Sequence, residues 1–171
     1  LITILLSAIV FYSCNEIQSK SIKKKIIPEA EEFRPLQEHV THKLLGQLVY
    51  VPIYSSIYNQ YEGNLLHMTA ILSIRNISPK YEIIIKRIEY YDTNGKLIKE
   101  YINKPFSLGK MSTKDFLIAE DELEGGTGAN FLVEWASKEK VSSPIIESVM
   151  LGNLGTKGFS FSSRGKEVES H

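Results

Sequence analysis

One cysteine, one tryptophan and three methionines stand among 171 residues, and basic and acidic side chains balance at 20 each. A single thiol, Cys14, excludes an intrachain disulfide framework and a structural zinc site built on several thiolates. The zero formal charge removes the footprint of a nucleic-acid binder, which gathers a basic excess on one surface. No heptad, collagen period, long low-complexity tract or repeat at solenoid spacing runs through the chain. With 23% charged and 10% aromatic residues, the composition is too apolar for a chain disordered throughout. It describes one modest globular domain with an appendage.

The appendage is N-terminal. Residues Leu1 to Tyr12 are apolar apart from Thr3, Ser7 and Tyr12, and Ser13 sets a small residue before Cys14. Twelve helical residues at about 1.5 Å each reach ~18 Å, short of a ~30 Å hydrocarbon core. A membrane span is therefore disfavoured, and the expectation for residues 1–14 is a lipoprotein-type signal segment cut before a lipidated Cys14. Phe11 and Tyr12 are larger than the residues usual before such a cysteine, and no basic stretch precedes Leu1, which reads as a truncated or mis-set start. Residues 15–45 follow as a polar linker and lead-in, with the basic run Lys23-Lys24-Lys25, the breaks at Pro28 and Pro35, and acidic Glu29, Glu31 and Glu32.

From Gln47 onward the text is strands and turns. Leu66, Met68, Ala70, Leu72 and Ile74 alternate with His67, Thr69, Ser73 and Arg75, the period-two mark of a strand with one buried face. Ile83 to Tyr91 and Lys96 to Tyr101 flank Asp92-Thr93-Asn94-Gly95, a hairpin turn in which Asn94 and Gly95 are expected at positive φ. Thr113 to Ala119, Ala129 to Ala136, Ile145 to Leu151 and a short strand holding Phe159 and Phe161 complete the set. The expectation is an all-β fold: an antiparallel, immunoglobulin-like β-sandwich of about seven or eight strands over residues 46–165, with 166–171 as a polar tail. Its expected core is Leu72, Ile74, Ile84, Ile88, Phe116, Ile118, Phe131, Val133, Trp135, Val149 and Phe161.

Several motifs in order carry a resemblance. Tyr50-Val51-Pro52-Ile53-Tyr54-Ser55 to Tyr58, Leu72-Ser73-Ile74-Arg75-Asn76 and Tyr90-Tyr91-Asp92-Thr93-Asn94-Gly95-Lys96-Leu97 are followed by two more. These are Gly125-Gly126-Thr127-Gly128-Ala129-Asn130-Phe131-Leu132-Val133-Glu134-Trp135 and Gly158-Phe159-Ser160-Phe161-Ser162-Ser163-Arg164-Gly165. Over roughly Leu48 to Gly165 the chain resembles an uncharacterised bacterial family, domain of unknown function number thirty-one twenty-four. The resemblance implies a secreted or envelope-anchored bacterial β domain and transfers no catalytic residue.

Enzyme chemistry finds little footing. Of His39, His42, His67 and His171, only His67 falls among the strands, on the more polar face, and no Gly-x-Ser-x-Gly elbow accompanies it. His39 and His42 stand three apart without a third metal ligand nearby. Glu120, Asp121, Glu122 and Glu124 lack EF-hand spacing. Gly125-Gly126-Thr127-Gly128 is not a phosphate loop, since no Gly-Lys-Ser/Thr follows and a strand comes next. No metal, cofactor or catalytic residue is assigned.

What remains is binding. Tyr50, Tyr54 and Tyr58 would share one face of extended chain, and rings exposed together stack on a sugar or a partner protein. Loops held by a rigid scaffold concentrate binding residues, which singles out Glu124, Gly126, Gly128 and Asn130. The expected function is a non-enzymatic interaction or assembly module, anchored to the membrane through a lipid on Cys14 and placed in the bacterial envelope facing periplasm or exterior. Its partner would be an envelope protein or cell-wall glycan. The alternative is a ligand-binding domain for glycan or a divalent cation.

Overall fold

A computed structural model describes residues 44–59 and 63–171. The signal segment with Cys14, most of the linker, His39 and His42 lie outside the described residues.

All described regular structure is β, in twelve strands: β1 (Leu45–Pro52), β2 (Ser56–Tyr58), β3 (Leu65–His67), β4 (Thr69–Arg75), β5 (Ile83–Tyr91), β6 (Leu97–Glu100), β7 (Phe106–Leu108), β8 (Thr113–Ile118), β9 (Asn130–Ser137), β10 (Ile145–Leu154), β11 (Lys157–Arg164) and β12 (Lys166–Ser170). One sheet runs β12-β1-β9-β5-β6, with β7 on the same free edge of β5 as β6. The other runs β11-β10-β4-β8, and β2 with β3 makes a two-stranded ribbon. Every pair is antiparallel.

The two larger sheets close on one apolar core, making a β-sandwich. Val49 and Val51 of β1, Ile85, Ile88 and Tyr90 of β5, and Phe131, Val133 and Trp135 of β9 come from the first sheet. They meet Ala70, Leu72 and Ile74 of β4, Phe116 and Ile118 of β8, and Ile146 and Met150 of β10. Trp135 is a core aromatic whose Nε1 donates to Gln47 Oε1 at 3.2 Å.

Several expectations change. The strands number twelve because β2, β3 and β7 are only three residues each, and because the run from Leu66 to Ile74 divides at Met68. There the Met68 amide donates to Ser55 O at 3.0 Å instead of joining the ladder. Residues 166–170 are no tail. They form β12 along β1, from Gln47↔Ser170 to Tyr50↔Lys166. All five side chains are exposed, so this strand carries no hydrophobic period to read, and it is held by its main-chain ladder and by Gln47 Nε2 donating to Glu167 Oε2. Gly165 is the corner between β11 in one sheet and β12 in the other. A β-carbon on Gly165 would lie 2.7 Å from Val49 Cγ1 and 2.9 Å from Ile146 O, so only glycine passes there.

Ile84, Val149 and Phe161 leave the expected core. The inward residues of β10 are Ile146, Ser148 and Met150, which turns Val149 to the outer face. Phe161 lies on the edge strand β11 and is 36% exposed. In β5 the pairing with β9 shifts between Ile85 and Arg87. This bulge breaks the period of two, so Ile83 and Ile85 face the same core as Ile88 and Tyr90, while Ile84 is buried outside that cluster. The hairpin turn after β5 also differs, since Gly95 alone takes positive φ, at 79°. Asp92 Oδ1 accepts from the Asn94 and Lys96 amides, both at 2.8 Å, and that side-chain turn holds Asn94 in ordinary backbone.

Candidate functional site

The residues expected to bind are only partly gathered. Tyr50 is on β1, across from Leu132 of β9 and Lys166 of β12, with its ring on the outer face of the first sheet. The chain then leaves that sheet, so Tyr54 and Tyr58 share no strand with Tyr50. Tyr54 is half-buried, edge-on to Phe161 with ring centroids 5.7 Å apart. Tyr58 ends β2 and is 74% exposed.

Ser55, next to Tyr54, does reach the glycine loop. Its Oγ donates to Gly126 O at 3.1 Å, and the Ser56 amide donates to the same carbonyl at 3.2 Å. From the other side Thr93 donates through both N and Oγ1 to Gly125 O, at 3.0 and 2.9 Å, and its Oγ1 accepts from Gly128 N at 2.9 Å. Gly126, at φ 75°, makes the bend that these contacts require. The loop's main-chain groups are thus largely engaged within the molecule. Glu124 is exposed, with its amide on Glu122 Oε1 at 3.1 Å, and Asn130 opens β9 between Pro52 and Tyr91. Among the described residues, no three His, Cys, Asp or Glu side chains are grouped to hold a metal ion.

His67 Nδ1 and Ser56 Oγ are 2.9 Å apart. Ser56 is 1% exposed, on the residue paired directly with His67, so this contact closes the β2–β3 ladder and offers no hydroxyl to a substrate.

The β5 bulge also shapes a charged cluster on the outer face of the first sheet. It brings consecutive Lys86 and Arg87 both to Glu134 of β9: Lys86 Nζ donates to Glu134 Oε1, and Arg87 Nε is 3.3 Å from Oε2. Arg87 Nη1 also pairs with Glu89 Oε2 at 3.2 Å, and Tyr91 donates to that oxygen at 2.7 Å. His171 Nε2 stands 3.9 Å from Glu134 Oε1. Burial would raise the Glu134 pKa, but the Lys86 hydrogen bond and the charges of Lys86, Arg87 and His171 outweigh it and hold the group below its ordinary range. The cluster is mutually neutralised, and it ties β5, β9 and the end of β12 together.

Among the described residues, no element covers the outer face of the second sheet. Pairing aligns Ser162, Val149, Ile71 and Leu117 in one row across β11, β10, β4 and β8. The next row holds Ser160, Leu151 and Thr69. Leu117 is 48% and Leu151 44% exposed. A solvated antiparallel face ordinarily alternates to polar side chains, whereas the middle of this one is aliphatic. On its other side lie Arg75, Glu147, Arg164 and Asp115, with Arg75 Nε 3.4 Å from Glu147 Oε1. The sequence does carry a trace of this face. Ala70-Ile71-Leu72 and Phe116-Leu117-Ile118 are apolar at both parities, and a strand apolar at both parities has two apolar faces. The same surface runs into a cleft of about 560 Å³ beside the β10–β11 hairpin.

Comparison with known proteins bears on family. Residues 46–168 match the model of a family described as Protein of unknown function (DUF3124). No curated protein matches the chain. A solved structure titled Crystal Structure of Thermotoga maritima 1070 is similar at 12% identity and a TM-score of 0.43, over 70% of this chain and 92% of that one.

Proposed function

The chain belongs to the DUF3124 family, and from that footing we propose that it is a lipid-anchored domain of the bacterial cell envelope, held by Cys14 and facing periplasm or exterior, which works without chemistry as a protein-interaction or assembly module. The observation that carries this reading is the aliphatic row Val149–Ile71–Leu117, with Leu151 beside it, on a sheet face that no described residue covers. Exposed apolar surface rimmed by polar groups is the usual form of an interaction site. The occupant is a protein surface of aliphatic side chains. A lipid headgroup layer fits less well, because the rim mixes Arg75 and Arg164 with Glu147 and Asp115, and an anionic layer repels the latter two. The membrane attachment rests separately on Leu1 to Tyr12 meeting Ser13-Cys14.

Crosslinking in intact cells that express the full-length protein, followed by mass spectrometry, tests the interaction. The expected result is a reproducible protein partner joined near Leu117 or Leu151, lost in both the Leu117→Lys and Val149→Lys variants. Capture of lipid alone, or of a partner indifferent to both substitutions, overturns it. For the anchor, Cys14→Ala should abolish metabolic lipid labelling, and labelling that persists in this variant refutes the lipid assignment.

A further inference from the structure

We propose that the free edge of β11 pairs with the same edge of a second copy of this chain, joining the two β11-β10-β4-β8 sheets across a two-fold axis at Ser160. This contact is separate from the aliphatic row, since it uses main-chain groups at the rim of the sheet and not its outer face. A sheet edge is an open template for another strand, and folds ordinarily blunt it with short strands, charges, proline or bulges. The other edges here are blunted in those ways. β8 carries Lys114 and Asp115, and β7 is three residues long. β6 includes Lys99 and Glu100, and its pairing with β5 is bulged. β12 holds Lys166, Glu167 and Glu169, and its pairing is bulged as well. β11 has none of these devices. It pairs with β10 over its full 8 residues without a register shift, and from Gly158 to Ser163 it has neither charge nor proline.

One hydrogen bond sets which groups that edge presents. The Gly165 amide donates to Ile146 O at 2.8 Å, one step past the Glu147↔Arg164 pair. Antiparallel pairs alternate between bonded and non-bonded, so Phe159, Phe161 and Ser163 turn their N–H and C=O toward β10, while Gly158, Ser160 and Ser162 turn theirs outward. No described strand lies on that side. An antiparallel copy matches these groups when Ser160 faces Ser160 and Gly158 faces Ser162, each pair exchanging both N–H···O bonds.

A second copy is the occupant because the same register also satisfies the side chains. It sets Phe159 of each chain opposite Phe161 of the other at non-bonded positions, where side chains come closest. Phe159 packs against the core, and Phe161, on the same side of the strand, stands beside Tyr54 with 36% of its surface exposed. Aromatic pairs across strands are among the stabilising ones. The charges that bound the run stay apart, because Lys157 then faces Ser163. A slip of one residue would oppose Lys157 to Arg164 at both ends and put the bonding groups out of phase, so the ends of the strand reject the wrong register. An isologous two-fold contact of this kind is the commonest symmetry of soluble oligomers.

Sedimentation equilibrium of the full chain from about 1 µM to about 1 mM tests the pairing, under reducing conditions so that Cys14 cannot crosslink copies. The expected result is a monomer–dimer equilibrium with a Kd of about 100 µM or tighter. Ser160 is exposed. Ser160→Lys sets like charges opposite each other on the axis, and Ser160→Pro removes an outward N–H while sparing the ladder with β10. Each should weaken association by roughly tenfold or more with the melting temperature little changed. Mixing Ser160→Lys chains with Ser160→Glu chains should restore dimers, as a two-fold that sets residue 160 against itself requires. Leu117→Lys should leave the dimer intact, so failure of the protein-interaction reading and failure of this one are told apart. A monomer throughout the range, a dimer indifferent to both substitutions at Ser160, or no recovery on mixing would each overturn the proposal. Loss of the dimer in Leu117→Lys would overturn it too, by assigning self-association to the aliphatic face.

Discussion

The Tyr90 hydroxyl occupies the place a side chain on Gly125 would need, 1.8 Å from where that β-carbon would stand. Tyr90 is 1% exposed, its hydroxyl has no hydrogen-bond partner among the described residues, and Ser55 Oγ would lie 2.8 Å from the same β-carbon. The loop after β8 therefore rests directly on a core tyrosine. Burial drives the Tyr90 pKa upward against a small opposing pull from nearby Ser55, so the ring stays neutral there.

From this contact, Gly125→Ala should destabilise the domain by ~1–3 kcal/mol through overpacking. Tyr90→Phe removes an unpaired buried hydroxyl and should be close to neutral. The double variant should regain a substantial part of the Gly125→Ala loss, because the two sites touch and so do not add. Urea unfolding of the four proteins measures this, and strict additivity would show that the loop moves aside without cost.

Asn76 should be among the most sensitive positions outside the apolar core. It is 2% exposed, and its Nδ2 faces the carbonyls of Tyr81, Leu108 and Gly109 at 2.9, 3.2 and 2.9 Å, while its Oδ1 accepts from the Ser78 amide at 2.9 Å. One side chain thus joins the loop after β4 to the turn after β7. Asn76→Ala leaves several buried groups unpaired and should cost about 3 kcal/mol. Asn76→Asp should be no milder, since a carboxylate cannot donate to the three carbonyls. A denaturation midpoint within error of the parent in either variant would contradict the network.

Stability should fall in acid through Glu134. Its folded pKa lies below the ordinary 4.5, so the unfolded chain takes up a proton before the folded one. The contribution is therefore fully present above about 4.5 and is lost as the pH drops through the folded value. Glu134→Gln should be less stable than the parent at neutral pH and should lose less on acidification. Thermal melts from neutral to pH 3 compare the two slopes, and parallel slopes would remove Glu134 from the acid response.

The local features of the chain were readable from its order of residues. Asp92 to Gly95 announced a turn, and the alternation in β4, β8 and β9 placed Leu72, Ile74, Phe116, Ile118, Phe131, Val133 and Trp135 inside. Such signals work because a strand with one buried face must repeat every two residues. They fail where one residue is inserted. The bulge near Arg87 exchanges Ile84 for Ile83 and Ile85 in the core and sets Lys86 and Arg87 side by side on Glu134. They fail again for β12, whose side chains are all exposed and which is placed by main-chain pairing with β1.

The candidate surfaces divide in the same way. Tyrosines and glycines stand out in a sequence, yet Tyr50 and Tyr58 lie apart, and the main chain around Gly126 and Gly128 is tied to Ser55 and Thr93. The aliphatic row joins residues 71, 117 and 149, and the edge of β11 is open only because β11 ends its sheet. The sequence by itself determined that the domain from Gln47 onward is strands and turns, because side-chain period and turn chemistry are local properties. Only the tertiary structure decided which strands neighbour one another, and with that which side chains share a surface, because register between distant strands is set by the common core they bury and by the bulges that interrupt their pairing.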